Sequence, residues 1–242
     1  MENTDSNNEQ LASHISRRFN QELEDVRNQV MKMGGLVEQQ LEDGLKALLG
    51  SDCELAQKVI DTDVQVNALE VEIDEHCTLI LARRQPAASD LRLMVSIIKT
   101  ITDLERIGDE AEKLGKNTLA MSGSGDTARQ VVELRHLGDH VKTMLNQALD
   151  AYVRMDVDSA LDIIQQDQLI DDEFDNISRL LITRMMEDPR EIKNALRVSW
   201  CARALERIGD HTKNICEYIV YLVKGKDVRH TSLNEIKDQI SG

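Results

Sequence analysis

Apolar residues return at steps of three and four through most of the chain, and the breaks between such runs are few and short. Leu93, Ile97, Ile101, Leu104, Ile107, Ala111 and Leu114 form one stripe on a 3.6-residue period, the mark of a helix with one buried face. The same periodicity predicts helices over Arg18–Leu49, Glu54–Arg84 and Pro86–Met121, then over Ala128–Arg154, Ser159–Glu187 and Pro189–Lys224. Gly50-Ser51-Asp52 and Met155–Asp158 read as short polar joints. Asp188-Pro189 reads as a capping carboxylate followed by a proline at the first helical position, where a missing N–H does no harm. Ser122–Asp126 is the Gly/Ser stretch expected to link two halves. The predicted organisation is a flexible N-terminus (1–17), a first three-helix bundle (18–121), a linker (122–127), a second bundle (128–226) and a loosely held polar tail (227–242). Long helices on short turns pack as antiparallel bundles.

The two halves repeat one another. Gly34, Val37, Leu41, Leu45, Asp52, Ala56 and Asp63 fall on Gly138, Val141, Leu145, Leu149, Asp156, Ala160 and Asp167 at one constant offset. Pro86 meets Pro189 after a one-residue slip, and Leu104–Asp109 recurs letter for letter as Leu205–Asp210. Length changes confined to connections are what a duplicated helical unit tolerates. The fold expected is all-α, two three-helix bundles from an internal duplication.

Composition narrows the function classes. Aromatic residues are 2% of the chain and prolines number two, which leaves little material for a β-sandwich core. A net charge of −15 speaks against nucleic-acid binding and against attraction to anionic membranes. Cys53, Cys77, Cys201 and Cys216 form no Cys-x-x-Cys pair and are expected to be reduced core thiols. The acidic, polar start is not a signal peptide, and no apolar run approaches the ~20 residues of a membrane span. A cytoplasmic location with no transmembrane segment is the expectation.

Carboxylates stand where leucines would continue a line. Met94, Ile98, Ile101, Glu105, Gly108 and Glu112 step by four and three, so Glu105 leans inward, with Asp109 one turn on. Glu206 and Asp210 repeat the pair, with Gly209 in the place of Gly108. Like charges at i and i+4 are mutually destabilising unless a cation intervenes. The second helices add oxygen donors: Asp63, Asn67, Glu70 and Asp74 in one half, Asp167 and Asp171 in the other. Hard oxygen ligands from neighbouring helices suit Mg²⁺, Mn²⁺ or iron. The bland alternative is a solvated face, or pairing with Arg106 and Arg207.

The chain resembles the PhoU family of phosphate-signalling regulators along nearly its whole length. The likeness is carried by Met31–Gly35, Arg83-Arg84-Gln85-Pro86, Ser89–Arg92, both Leu-Glu-Arg-Ile-Gly-Asp strings, Asn214–Tyr218 and Val223–Gly225. It implies two three-helix bundles related by a pseudo-twofold axis, and a cytoplasmic negative regulator of the Pho regulon. Such a regulator links the ATPase subunit of the phosphate ABC transporter to a sensor histidine kinase, and is recruited to the inner face of the membrane through those partners. It also implies homodimers, and metal at the E/D-x-x-x-D motifs, here Glu105 with Asp109 and Glu206 with Asp210. Arg83-Arg84 has no basic counterpart in the second half, so the halves need not do the same job. Arg83, Arg84 and Arg154 are candidate partner contacts.

Other residues carry less. His136 and His140 sit one turn apart but lie outside the repeated design, His211 is a weak candidate for the second site, and Trp200 is expected to pack. No Walker loop or Gly-x-Ser-x-Gly elbow is present, and the motif glutamates Glu105 and Glu206 are followed at the third position by glycine and at the fourth by aspartate, unlike the Glu-x-x-His of diiron oxidases. A carboxylate-metal hydrolase or oxidase, or a metal store, are the alternatives to a signalling adaptor.

Overall fold

The computed structural model describes residues 2–122, 131–229, 231, 235 and 236, with side chains from residue 18 onward. Among them run α1 (Glu2–Gly50), α2 (Cys53–Arg84), α3 (Ala88–Met121), α4 (Leu134–Arg154), α5 (Val157–Glu187) and α6 (Ile192–Lys224), with a 3₁₀ turn at Pro189–Glu191. Helices α1, α2 and α3 pack on one another, as do α4, α5 and α6. The two groups meet along α3 against α6 and, more narrowly, α1 against α4. The stripe read from the sequence is the core: Ile97, Ile101, Leu104, Ile107, Ala111 and Leu114 are all fully buried.

The joints are set by local chemistry. Asp52 accepts from the backbone N–H groups of Glu54 and Leu55, both at 3.0 Å, and so caps α2. Asp156 caps α5 in the matching way, accepting from the Ser159 N–H at 3.1 Å and its hydroxyl at 2.8 Å. The residue before each cap, Ser51 and Met155, takes the left-handed conformation at φ 53°. Matched residues thus turn the chain at matched places. Asp188 accepts from the Arg190 N–H, as its expected capping role requires.

Several boundaries move. Helix α1 runs back to Glu2, through the segment expected to be flexible, instead of starting at Arg18. Helix α3 starts at Ala88, because Gln85 leaves the helix at φ 46° and Ala87 is extended around Pro86. The expected start of the fourth helix at Ala128 falls outside the described residues, as does all of the linker except Ser122. The polar tail is not wholly loose: Val228 and Ile236 are buried against the core, and Arg229 forks onto Asp227. Two apolar residues in a polar stretch suffice to pin it. Trp200, expected to pack, is 56% exposed.

Reciprocal small-to-large contacts bring the bundles together. A Cβ on Gly34 would meet Leu149 at 2.9 Å, and one on Gly138 would meet Leu45 at 2.5 Å. Within the first bundle the tightest approach is against backbone: a Cβ on Gly115 would lie 2.8 Å from the Ala56 carbonyl oxygen. At Gly35 nothing lies within 4 Å. Gly35→Ala is therefore expected to stabilise by up to about 1 kcal/mol through helix propensity. Gly115→Ala should instead cost about 1–3 kcal/mol, since α2 must shift to admit the methyl. Urea unfolding of both variants separates the two, and equal midpoints would contradict the packing.

Candidate metal centre

The first seam lies where α1, α2 and α3 meet. Asp63 on α2 is buried, and one carboxylate oxygen each from Asp63, Asp109 and Glu112 lie within 4.8 Å of one another. Asp63 is held in place by donors from two helices: Asn67 Nδ2 at 3.0 Å and Gln40 Nε2 at 3.3 Å, the latter also bonded to the Val59 carbonyl at 3.2 Å. Gly108 makes room for this, because a Cβ there would stand 3.1 Å from Gln40 Oε1 and 3.3 Å from Asp63 Oδ1. Glu105 flanks the group, and Glu70, held by the Thr102 hydroxyl at 3.3 Å, lies near Glu105. Lys116 reaches Glu112 from the solvent side.

Charge in the seam is only partly compensated, since Arg106 and Lys116 pair with Glu105 and Glu112 and leave Asp63 without a cationic partner. Burial raises the pKa of Asp63, and the neighbouring Glu112 and Asp109 raise it further. Glu105 is raised for the same reasons, by burial first and then by Asp109 and Glu70. Two further acceptors, Gln40 Oε1 and Asn67 Oδ1, are buried without any donor. Oxygen atoms in excess of donors, on two facing helices, fit a hard cation such as Mg²⁺, Mn²⁺ or iron. Among the described residues, no other set of His, Cys, Asp or Glu gathers three ligand atoms this closely.

The second seam has matching carboxylates and different neighbours. Asp167 is buried, and Asp171, Glu206 and Asp210 surround it. Where Gln40, Glu70, Thr102 and Glu112 stand in the first half, this half has Met144, Phe174, Arg203 and Lys213. Lys213 Nζ bonds Asp167 Oδ2 at 2.6 Å, and Arg203 pairs with Glu206 at 2.9 Å while its guanidinium lies 5.3 Å from the Phe174 ring centre. These ion pairs place two cationic side chains on the carboxylates of the second seam.

Of the eight residues expected as ligands, the structure gathers Asp63 and Asp109 directly, sets Glu105 beside them, and turns Asn67 into a donor to Asp63. Glu112 is the member of this cluster that the expected set lacked. It sits on the same inward line as Glu105 and was legible there. Gln40 could not be found by spacing, since a single glutamine on an otherwise apolar face carries no pattern.

The remaining candidates take structural partners. His211 turns to the other bundle, with Nδ1 2.7 Å from Asp103 on α3, where Asn214 also donates at 3.0 Å. Arg207 reaches Glu110 of α3 at 3.1 Å, so it pairs across the bundles and not within its own motif. Lys99 lies over the rings of Tyr218 and Tyr221. His140 pairs with Glu173 at 2.9 Å, while His136 is exposed. Arg84 forks onto Glu22 at 2.8 and 3.0 Å, Arg83 lines a groove with His76, Leu79 and Asp25, and Arg154 stands exposed at the end of α4. Cys77 and Cys201 are buried free thiols, pushed up to about 12 by desolvation and so inert.

Two three-helix bundles joined through α3 and α6, one of them holding a carboxylate seam that can coordinate a cation, define an all-helical protein of paired, non-identical halves. The chain belongs to the PhoU family: residues 30–118 and 134–219 match the PhoU domain, once in each bundle. It is 51% identical over 236 residues to the phosphate-specific transport system accessory protein PhoU homolog of Pseudomonas putida, covering 98% of this chain and 92% of that one. The crystal structure of PhoU from Pseudomonas aeruginosa superimposes with a TM-score of 0.84 at 51% identity, covering 86% of this chain and all of that one. The phosphate transport system regulatory protein PhoU of Streptococcus pneumoniae matches with a TM-score of 0.80 at 31% identity, over 87% of this chain and 99% of that one. No helix among the described residues is long and apolar enough to cross a membrane.

One further acid shows a pH dependence with a definite sign. Glu217, facing Lys213, Arg229, Asp227 and Asp167, is pushed up to about 7 chiefly by burial. Its folded pKa exceeds the unfolded value, so the folded state binds the proton more tightly. Stability is therefore lost as pH rises from about 4.5 through about 7. Metal-free protein should show a higher urea midpoint at about pH 5.5 than at about pH 8. Glu217→Gln should flatten part of that slope and raise the midpoint at the higher pH. An unchanged slope in the variant would assign the effect to other groups.

Proposed function

We propose that this chain is a cytoplasmic negative regulator of phosphate signalling and uptake, a metal-binding adaptor between the ATPase subunit of a phosphate ABC transporter and a sensor histidine kinase. The supporting observation is the likeness, over nearly the full length of both chains, to relatives named as phosphate-specific transport accessory proteins. The Streptococcus pneumoniae relative is named a phosphate transport system regulatory protein, which supports a regulator over an enzyme. The two bundles, spanning about residues 18–121 and 128–226, are copies of one ancestral unit related by a pseudo-twofold axis, and the protein acts as a homodimer. The repeated Asp52 and Asp156 caps and the reciprocal Gly34–Leu149 and Gly138–Leu45 contacts support that relation. Partners recruit it to the inner face of the membrane. The exposed Arg83 and Arg154 are contact points for them, whereas Arg84 is already engaged by Glu22.

Asp63, Asp109 and Glu112 hold a Mn²⁺, Mg²⁺ or iron ion, with Glu105 and Glu70 adding negative charge. The ion supplies the positive charge that lets these carboxylates share one seam, and so stiffens the α2–α3 contact. Metal-free Asp109→Asn is expected to melt above the wild type, because a repulsion is relieved. The wild type should gain about 2.7 kcal/mol with Mn²⁺ at a hundredfold over its Kd, and the variant should lose most of that gain. A Mn²⁺ shift that survives in the Asp63→Asn, Asp109→Asn double variant would place the ion elsewhere.

Partner binding is tested by pull-down of the purified ATPase subunit and kinase, with and without Mn²⁺. The acidic surface makes basic patches the natural docking partners, so the captured amount should fall between about 0.05 and 0.5 M salt. No capture of either partner would end the adaptor reading, and salt-independent capture would rule out charge as its basis.

A further inference from the structure

The two carboxylate seams descend from matching positions, yet one chain cannot treat them alike. In the first seam, α3 contributes Glu105, Asp109 and Glu112, all acidic. In the second, α6 contributes Glu206 and Asp210 but Lys213 at the third place. The ammonium of Lys213 is not turned to solvent: it lies 2.6 Å from the buried carboxylate of Asp167, the counterpart of Asp63. Lys116 of the first bundle does not offset this difference. It grips Glu112 from outside, with its side chain 57% exposed, and leaves Asp63 without a cation. Further exchanges change the neighbours. Gln40 becomes Met144 and Glu70 becomes Phe174, which removes an amide oxygen and a carboxylate, while Asn67 becomes Asp171, which returns a carboxylate. Thr102 becomes Arg203, whose guanidinium takes Glu206 at 2.9 Å and covers the Phe174 ring. Buried acceptors without donors occur in both halves, Gln40 Oε1 and Asn67 Oδ1 in the first and Glu173 Oε2 and Glu206 Oε2 in the second.

We infer that Lys213 is a built-in counter-ion occupying the cation position of the second bundle, so that this chain takes a divalent metal in its first bundle alone. A side-chain ammonium 2.6 Å from Asp167 fills the space an ion would need, and its charge repels a second cation. The second bundle is thereby stabilised permanently, while the first responds to the metal available. This inference rests on the metal reading of the first seam, and the test separates the two.

Purified full-length protein, stripped with chelator, would be titrated with Mn²⁺, following the free ion by its electron paramagnetic resonance signal and the fold by its melting temperature. Asp167→Asn with Asp210→Asn should leave the bound Mn²⁺ per chain within about a fifth of wild type, whereas Asp63→Asn with Asp109→Asn should remove it. Lys213→Gln removes the ammonium without adding a carboxylate. It should roughly double the bound Mn²⁺, lower the metal-free melting temperature and recover it when Mn²⁺ is added. Lys213→Glu, which restores the residue type of Glu112, should do the same with tighter binding. Wild-type Mn²⁺ lost equally from both double variants would overturn the inference, as would unchanged stoichiometry in both Lys213 variants. If the wild type binds no Mn²⁺, the reading of the first seam falls. The lysine claim is then decided by its own variants: newly gained binding supports it, and none refutes it.

Discussion

Carboxylates crowded into a seam between helices repel one another, and some positive charge must enter that seam or the helices must part. Everything distinctive in this fold answers that constraint. Burial and mutual repulsion raise the pKa values of Asp63 and Glu105 in one half and of Glu206 in the other. The strain is the same in kind, but the resolution differs. In the second half Lys213 supplies the charge from α6 itself, directly to the buried Asp167. In the first half Arg106 lies 3.6 Å from Glu105 and is largely exposed, and Lys116 grips only the outer side of Glu112. An exposed pair of that kind contributes ~1 kcal/mol or less, too little to offset a buried carboxylate beside two others.

Helices α3 and α6 connect these seams to the rest of the molecule. Each carries carboxylates toward its own bundle and polar residues toward the other. Asp103 of α3 takes His211 and Asn214, Glu110 takes Arg207, and Lys99 lies over two tyrosine rings of α6. Buried charge pairs of this sort fix register more than they add stability. On α3, Asp109 and Glu110 are chain neighbours facing different bundles.

Much of this was legible beforehand, and the reasons for the failures are physical. The helices, the joints and the α3 core stripe followed from a 3.6-residue period and from capping residues, which act locally. The inward lean of Glu105 followed from the same period. The tail did not, because Val228 and Ile236 lie in a polar stretch without periodicity and are buried by tertiary packing alone. Trp200 was expected inside on hydrophobicity, yet α6 turns its position outward. Gln40 escaped because its role depends on which side of α1 meets Asp63, which spacing on one helix cannot reveal.

The repeat itself was the most informative feature, and it does not by itself make the two halves equal. Identity of Leu104–Asp109 with Leu205–Asp210 invites the expectation of two equal sites, since the motif residues are the same in both. A cation site is a balance over every group within a few ångströms, however, and the balance changes sign with the neighbours. Three residues past the motif, Glu112 faces Lys213, and on the other helices Gln40 faces Met144 and Glu70 faces Phe174. Both halves keep the motif carboxylates on their third helix, while the groups around them differ. In a duplicated protein the motif tells where charge will be buried, and the residues outside it decide how that charge is answered.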